Sequence, residues 1–346
     1  MKRKERSLGP DLIRTLAICL VFVVHMLATS KALSRDLRTV KWVIYDFARY
    51  LSIVAVPLFL LLTGFLQSKR KLSARHYTGV IPTFFSYLIT SGLVAALSAF
   101  FIAMPKGGVS RLALNIFDYT YGYAWYMEMY LCLFLLIPFL NIFFNALSQK
   151  QQQIMILVLA LLTMLPAVAS NFIVTGIWFE AVPDFLEDMY VITYYFLGAY
   201  IAKHHPAPPK RWCFAVALAV PAAETCICYL LSGKEYAWYL CKSFSSFPHA
   251  IVAVAIFLAL YRLDFKWKPL RFVVTEIACC SFEMYLLSYF TDSYFYKNLP
   301  LAPWQILPFS FLAAYIGARL LRFAVVPLGN LLRKGADLLI AKISSK

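Results

Sequence analysis

Charge is what this sequence has least of. Only 14% of its 346 residues are Asp, Glu, Lys or Arg, while 62% are hydrophobic and the mean hydropathy is +0.70. A soluble domain keeps roughly a quarter of its residues charged to cover its surface, so this chain must present much of itself to lipid. Soluble enzymes, secreted disulfide scaffolds and disordered proteins are excluded together. Acidic residues are scarcer still, 17 against 33 Lys and Arg, a formal charge of +16. The eight cysteines lack any metal or redox spacing: Cys226 and Cys228 are two apart, Cys279 and Cys280 adjacent, and the rest lie singly in apolar runs. They read as small buried hydrophobes. Repeats, low-complexity tracts and a separate soluble domain are missing as well.

What is there is a series of apolar runs. A hydrocarbon core of about 30 Å needs about 20 apolar residues in a helix. Runs bounded by charge, Pro or Gly fall at 10 to 30, 43 to 66, 78 to 102, 121 to 145, 152 to 170, 188 to 203, 211 to 231, 244 to 261, 271 to 291 and 304 to 327. The pattern predicts an all-α, polytopic integral membrane protein of about ten transmembrane helices. One membrane domain would cover 1–346, with 330–346 as a short basic tail. The sixth and eighth runs are short, and a re-entrant piece near 172 to 182 is an alternative reading of the fifth loop. A cleavable signal peptide over residues 1 to 34 is the rival for the first run. That run is longer than a signal core and contains Arg14 and His25, which favours a retained helix.

The +16 has two readings, a nucleic-acid footprint or the cytoplasmic loops of a membrane protein. Position decides. With the N-terminus inside, 21 of the 33 positive charges fall on the cytoplasmic side. They include Lys2, Arg3, Lys4, Arg6, Lys69, Arg70, Lys71, Arg75, Lys150 and the terminal Lys346. Outer loops hold Lys31, Arg35, Arg38, Lys41, Lys106, Arg111, Lys234, Lys242 and Lys297, and the loop from 171 to 187 carries Glu180, Asp184 and Glu187 with no cation. Both termini are therefore expected in the cytoplasm, with the four cations of the first outer loop as the main exception. No basic patch is interleaved with polar, foldable sequence, so nucleic acid is not a partner.

Ionisable groups inside spans are costly, and each is a functional candidate. Arg14 and His25 are eleven residues apart in the first span, about three turns plus 20°, so they share one face about 16 Å apart along the axis. A guanidinium suits phosphate oxygens, and an imidazole takes or gives a proton near neutral pH. The structural alternative is a snorkelling Arg and a histidine tied to a neighbouring helix. Glu276 and Glu283, seven apart in the ninth span, also share a face. A carboxylate there can hold an acceptor hydroxyl or orient a histidine, or simply pair with Arg319 or Arg49. Asp46 and Arg49 read as an i,i+3 pair. Glu128 and Glu224 are single carboxylates, either helix ties or site residues. Aromatic residues, 17% of the chain, cluster at Tyr119, Tyr121, Tyr123, Trp125 and Tyr126 as an interfacial belt. Pro57, Pro82, Pro138, Pro166 and Pro221 lie within spans and should kink them.

Arg14 and His25 form an Arg-x10-His signature on the first helix, and further elements accompany it. The second span reads Val56-Pro57-Leu58-Phe59-Leu60-Leu61-Leu62-Thr63-Gly64-Phe65, Arg75-His76-Tyr77 leads to Ile81-Pro82, and Trp125-Tyr126-Met127 precedes Leu136-Ile137-Pro138. This order resembles the acyltransferase 3 family of integral membrane acyltransferases over nearly the whole chain. Two positions depart from the family pattern. Gly79 stands where many members carry a second Arg, and Tyr285-Leu286-Leu287-Ser288 replaces a Tyr-Leu-x-His element.

The resemblance implies transfer of an acyl group, usually acetyl, from cytoplasmic acetyl-CoA or another acyl-CoA to a hydroxyl of a cell-envelope glycan or lipid, in the cell membrane and without a metal. Arg14, Arg75 and Lys71 would then hold the donor's phosphates. His25 would act as general base or carry the acyl group, with Glu283 as its orienting carboxylate. Trp125, Tyr126, Glu128 and Glu276 are the remaining candidates. From a different class, a transporter or flippase fits ten spans and kinked helices too, whereas a glycan polymerase or ligase is disfavoured by the lack of a long outer loop.

Overall fold

The computed structural model describes residues 7–34, 37–102, 123–166, 182–232 and 244–344. The cations Lys2, Arg3, Lys4, Arg6, Arg35, Lys106, Arg111, Lys234, Lys242 and Lys346, together with Glu180, Tyr119, Tyr121 and the re-entrant reading of 172 to 182, lie outside the described residues. Within them the chain is helical, with no strand. In order the α-helices are α1 (Leu8–Thr29), α2 (Val40–Ser52), α3 (Ala55–Gln67), α4 (Ala74–Thr78), α5 (Ile81–Phe101), α6 (Trp125–Ala146), α7 (Gln149–Thr163), α8 (Asp184–Glu187), α9 (Tyr190–His204), α10 (Lys210–Leu231), α11 (Phe247–Leu260), α12 (Lys268–Asn298) and α13 (Pro303–Ser344).

Among the described residues each of the ten apolar runs contains helix. Six helical stretches among the described residues are long and apolar enough to cross a membrane: α1, α2 with α3, α4 with α5, α6, α10 and α13. α11 is a shorter apolar helix. At 15 residues each, α7 and α9 reach only about 22 Å, short of a 30 Å core.

Two details depart from the sequence reading. The run 43 to 66 is broken into α2 and α3 at Ile53 and Val54. Pro57 is the reason, because it has no N–H to donate to the carbonyl four residues back. The segment from 330, expected as a short basic tail, continues α13 without interruption to Ser344. That helix of 42 residues is about 63 Å long, twice what a crossing needs.

The chain divides into two compact units. The first comprises Met1–Ser68 and Phe144–Ala278, and the second Lys69–Phe143 and Cys279–Lys346. In the first, α3 and α9 meet backbone to backbone through two glycines. A methyl group built on Gly64 would lie 2.0 Å from the Tyr195 carbonyl oxygen, and one on Gly198 2.0 Å from that of Leu61. With little hydrophobic drive between helices in lipid, such close approach is a main source of association. Arg38 closes the C-terminal end of α10, donating from Nε to the Tyr229 carbonyl (3.1 Å) and from Nη2 to that of Leu230 (3.3 Å). Its guanidinium also lies 5.5 Å from the Tyr229 ring centre. A cation on the last carbonyls of a helix is favourable, so Arg38 has a structural task in its loop.

In the second unit α5 packs along α13, where Gly329 lets Pro82 come close. Below that contact Thr78 donates its hydroxyl to the Asp337 carboxylate at 2.6 Å, fixing the end of α13 to α4.

Candidate functional site

Arg14 and His25 stand on one unbroken helix, α1, so their shared face and axial separation follow from its geometry. Arg14 is half-buried and its Nη1 lies 3.8 Å from the carboxylate of Asp11, which is buried one turn earlier. Asp11 also sits in the first turn, where a negative charge favours the helix. Between the two candidates Thr15 donates to the Val274 carbonyl of α12 at 2.9 Å, which fixes the rotation of α1. His25 is half-buried near the helix end. Glu276, in the part of α12 that belongs to the first unit, is half-buried.

The first unit also contains a cluster that the sequence reading missed. His249 of α11 has no exposed surface, and its Nε2 lies 3.2 Å from Oε1 of Glu224 on α10. The Tyr50 ring of α2 is 6.1 Å from the imidazole, centre to centre. Glu224 thus belongs to a junction of three helices. The signal available was that Glu224 and His249 each interrupt one of two consecutive apolar runs. Asp46, one turn before Tyr50, is fully buried.

In the second unit Glu283 is 2% exposed and accepts three hydrogen bonds from two donors. Arg322 Nη1 is 3.0 Å from each of its oxygens, and the Ser86 hydroxyl donates to Oε1 at 2.9 Å. Arg322, rather than the Arg319 or Arg49 expected from the sequence, is the partner of that carboxylate. Arg319 instead lies exposed over the Phe323 ring.

Arg75 and Lys71 are exposed around the start of α4. The neighbouring His76 is buried, with Nε2 2.9 Å from the Phe134 carbonyl oxygen and its ring stacked on that of Phe134 at 4.2 Å. Gly79 caps α4, its N–H donating to the His76 carbonyl.

Trp125 and Tyr126 open α6 with ring centres 6.2 Å apart, and Tyr126 meets Tyr285 edge-on at 6.0 Å. Tyr285 stacks on Tyr123 at 5.8 Å and donates its hydroxyl to the Tyr123 carbonyl. Ser288, at the family's histidine position, hydrogen-bonds the Tyr123 hydroxyl and donates to the Tyr285 carbonyl at 2.6 Å. Sequence placed Tyr123, Trp125 and Tyr126 in an interfacial belt; in the fold they cluster with Tyr285 and Ser288 of α12. Glu128 lies on the exposed side of α6.

A helical protein with apolar spans, buried ion pairs between them and an arginine and histidine along one helix face belongs to the class of multi-pass membrane enzymes and transporters. Within that class the chain is placed by residues 7–323, which match the family model of the acyltransferase domain, type 3, and it belongs to that family. It is a membrane acyltransferase. No curated protein and no solved structure gave a match.

Proposed function

We propose that this protein moves an acetyl group from acetyl-CoA, bound from the cytoplasm, to a hydroxyl of a cell-envelope glycan or lipid. The observation that carries the reading is the pair Arg14 and His25 on one face of a continuous α1, within the family-matched residues. Arg14 offers its guanidinium to a donor phosphate, and its partner Asp11 keeps it oriented. His25 takes the proton of the acceptor hydroxyl as its oxygen attacks the thioester carbonyl. The C–S bond then breaks, and the CoA thiolate leaves and collects the proton. Arg75 and Lys71, exposed on the second unit, are further cations for the donor's phosphates. Glu283 and Glu276 are its carboxylate candidates, and Glu128 lies open to an acceptor. The aromatic cluster of Trp125, Tyr126 and Tyr285 suits stacking on a sugar ring.

On this reading both termini lie on the cytoplasmic side of a cell membrane. The structural task of Arg38 supports that orientation, since it gives one cation of the first outer loop a reason to be there.

The test is acetyl-CoA consumption with free thiol release by the purified protein, coupled to mass spectrometry of envelope glycans and lipids from cells with and without it. His25→Ala should lower turnover about 10²- to 10⁴-fold, and Arg14→Ala should act mainly by raising the KM for acetyl-CoA. Full acylation by His25→Ala at wild-type abundance removes the assignment. Acceptor movement across the membrane without thiol release would make the protein a transporter.

A further inference from the structure

The guanidinium of Arg322 is held on one side only. Nη1 faces both oxygens of Glu283, and among the described residues no acceptor meets Nε or Nη2. A quarter of the side chain is exposed, so those two nitrogens have access to a ligand. Glu283 is itself almost wholly buried and fixed by Ser86, so the fork is anchored at one prong and cannot swing freely. An arginine serving only to neutralise a buried carboxylate would be expected to align both of its terminal nitrogens with it. This one uses a single nitrogen and keeps the rest of its donors directed elsewhere.

The surroundings are polar beyond what the ion pair needs. One turn after Ser86, on the same face of α5, the Thr90 hydroxyl is fully buried and has no hydrogen-bond partner among the described residues. A buried hydroxyl without a partner is costly unless water or a ligand satisfies it, so this face of α5 carries a polar group beyond those the ion pair uses. The site also has a position along the unit. Arg322 precedes Gly329 by two turns on α13, Gly329 packs on Pro82 at the start of α5, and Thr78 of α4 binds Asp337 further along. Along α13, Arg322 therefore lies about 10 Å from the Pro82 contact and about 22 Å from the Thr78 contact on α4, the helix that carries Arg75.

We propose that Arg322, anchored by Glu283 and Ser86, is a phosphate-binding group of the second unit. The ligand is a phosphate ester, carried either by a CoA donor or by an anionic lipid headgroup. A planar guanidinium with two adjacent free donors matches two phosphate oxygens, and the exposed Arg75 and Lys71 give such an anion a favourable approach. The inference rests on the proposed donor only for the CoA source, and Glu283 becomes a positioning residue for Arg322.

The experiment uses the full chain, purified in detergent and in nanodiscs. Because Arg322→Gln alone would strand a buried carboxylate, the variants are R322K, which keeps charge and loses the fork, and the double change Arg322→Gln with Glu283→Gln, which keeps the pair neutral. Three probes are used: CoA, pantetheine, which lacks every phosphate, and nanodiscs of phosphatidylcholine with or without phosphatidylglycerol. Binding and thermal shift are read, with thiol release from acetyl-CoA followed on wild type in parallel.

A loss of about tenfold or more in CoA affinity in both variants, with the weaker pantetheine binding unchanged, supports the proposal with CoA as the source. Unchanged CoA binding with loss of the stabilisation by phosphatidylglycerol supports it with lipid as the source. If wild type and variants respond alike to every probe, the proposal is overturned. When wild type still releases thiol in that case, only Arg322 loses its role. When wild type shows neither thiol release nor any response to CoA, the donor assignment under the proposed function falls as well.

Discussion

The two units hold themselves together by different means. In the first, the tightest contact is between backbones, with Gly64 and Gly198 letting α3 and α9 touch, and the buried Glu224 and His249 sit with Tyr50 among apolar neighbours. In the second, helices are joined through charged and hydroxyl side chains. Ser86 and Arg322 meet on Glu283, Thr78 meets Asp337, and Ser310 meets Asp292. Backbone contact leaves no room for adjustment, whereas side-chain hydrogen bonds can exchange a protein partner for a ligand or water. The first unit is therefore built as a fixed support for α1 with Arg14 and His25, and the second has the composition of a surface that binds polar groups.

Gly198→Ala gives the largest expected break in that contrast. The added methyl would lie 2.0 Å from a carbonyl oxygen of Leu61 and 2.9 Å from the Phe65 nitrogen, both backbone atoms that move only if α3 moves. A cost of about 3 kcal/mol or more is expected, seen as a large fall in Tm and in monodisperse yield. The matched changes in the second unit should be mild. At Gly317 the nearest atom is the mobile Leu287 Cδ1 at 3.1 Å, and at Gly335 nothing lies within 4 Å. Gly335→Ala should even gain up to about 1 kcal/mol from helix propensity. Equal tolerance at 198 and 335 would erase the distinction between the units.

Much of this architecture was legible in the sequence, because lipid imposes a simple rule. Apolar runs of span length must be helical, and each of the ten holds helix among the described residues. What composition could not show was where a helix stops. Pro57 was recognised as a kink, but whether it bends or breaks the run depends on whether Ile53 and Val54 can close a turn locally. That α13 runs on through the basic tail was not legible, because Arg333, Lys334 and Lys342 look like a solvated segment, while Asp337 finds a partner in Thr78 only in three dimensions.

For the site, helical periodicity was enough to put Arg14 and His25 on one face, since both lie on a single element. It gave no information on pairs between elements, which is why Arg322 was not matched to Glu283 or His249 to Glu224. The first pair joins helices whose connection and kinks blur such arithmetic, with Pro308 and Pro327 both inside α13.

The ion pair of the second unit yields an intermediate effect with a definite order. Arg322→Ala leaves a carboxylate that is 2% exposed with Ser86 alone, whereas Glu283→Gln leaves a guanidinium that is a quarter exposed and can rehydrate. Breaking a fully buried pair costs about 3–5 kcal/mol. Partial exposure and the weaker yield of polar contacts in membrane proteins reduce the expected loss for Arg322→Ala to about 2 kcal/mol, with Glu283→Gln below it. Thermal unfolding of the two variants in one detergent reads the order. The reverse order would mean that Glu283 has other support, and that the second unit relies on this pair no more than the first relies on Glu224 and His249.

The smallest effect is a pH response of the first unit at the end of α9, outside its apolar run. Gln152 donates its amide hydrogens to the Phe144 and Leu147 carbonyls at 2.8 and 3.1 Å, which orients its Oε1 to accept from His204 Nε2 at 2.8 Å. His204 thus bears its proton on Nε2 when neutral, and protonation at the other nitrogen leaves this bond intact. Only the added charge is unfavourable: burial, then the charge of Lys203 and the neighbouring His205, pull the imidazole below its ordinary value of 6.5. Below that value the unfolded chain binds a proton that the folded chain resists, so stability should fall as pH drops from about 6.5 and level off once the folded form protonates too. His204→Gln should flatten that part of the Tm profile between pH 7.5 and 5.5 by a small amount, because the side chain is only half-buried. An unchanged slope would show that His204 is solvated well enough to titrate alike in both states, and that the polar end of the first unit is as adaptable as the second.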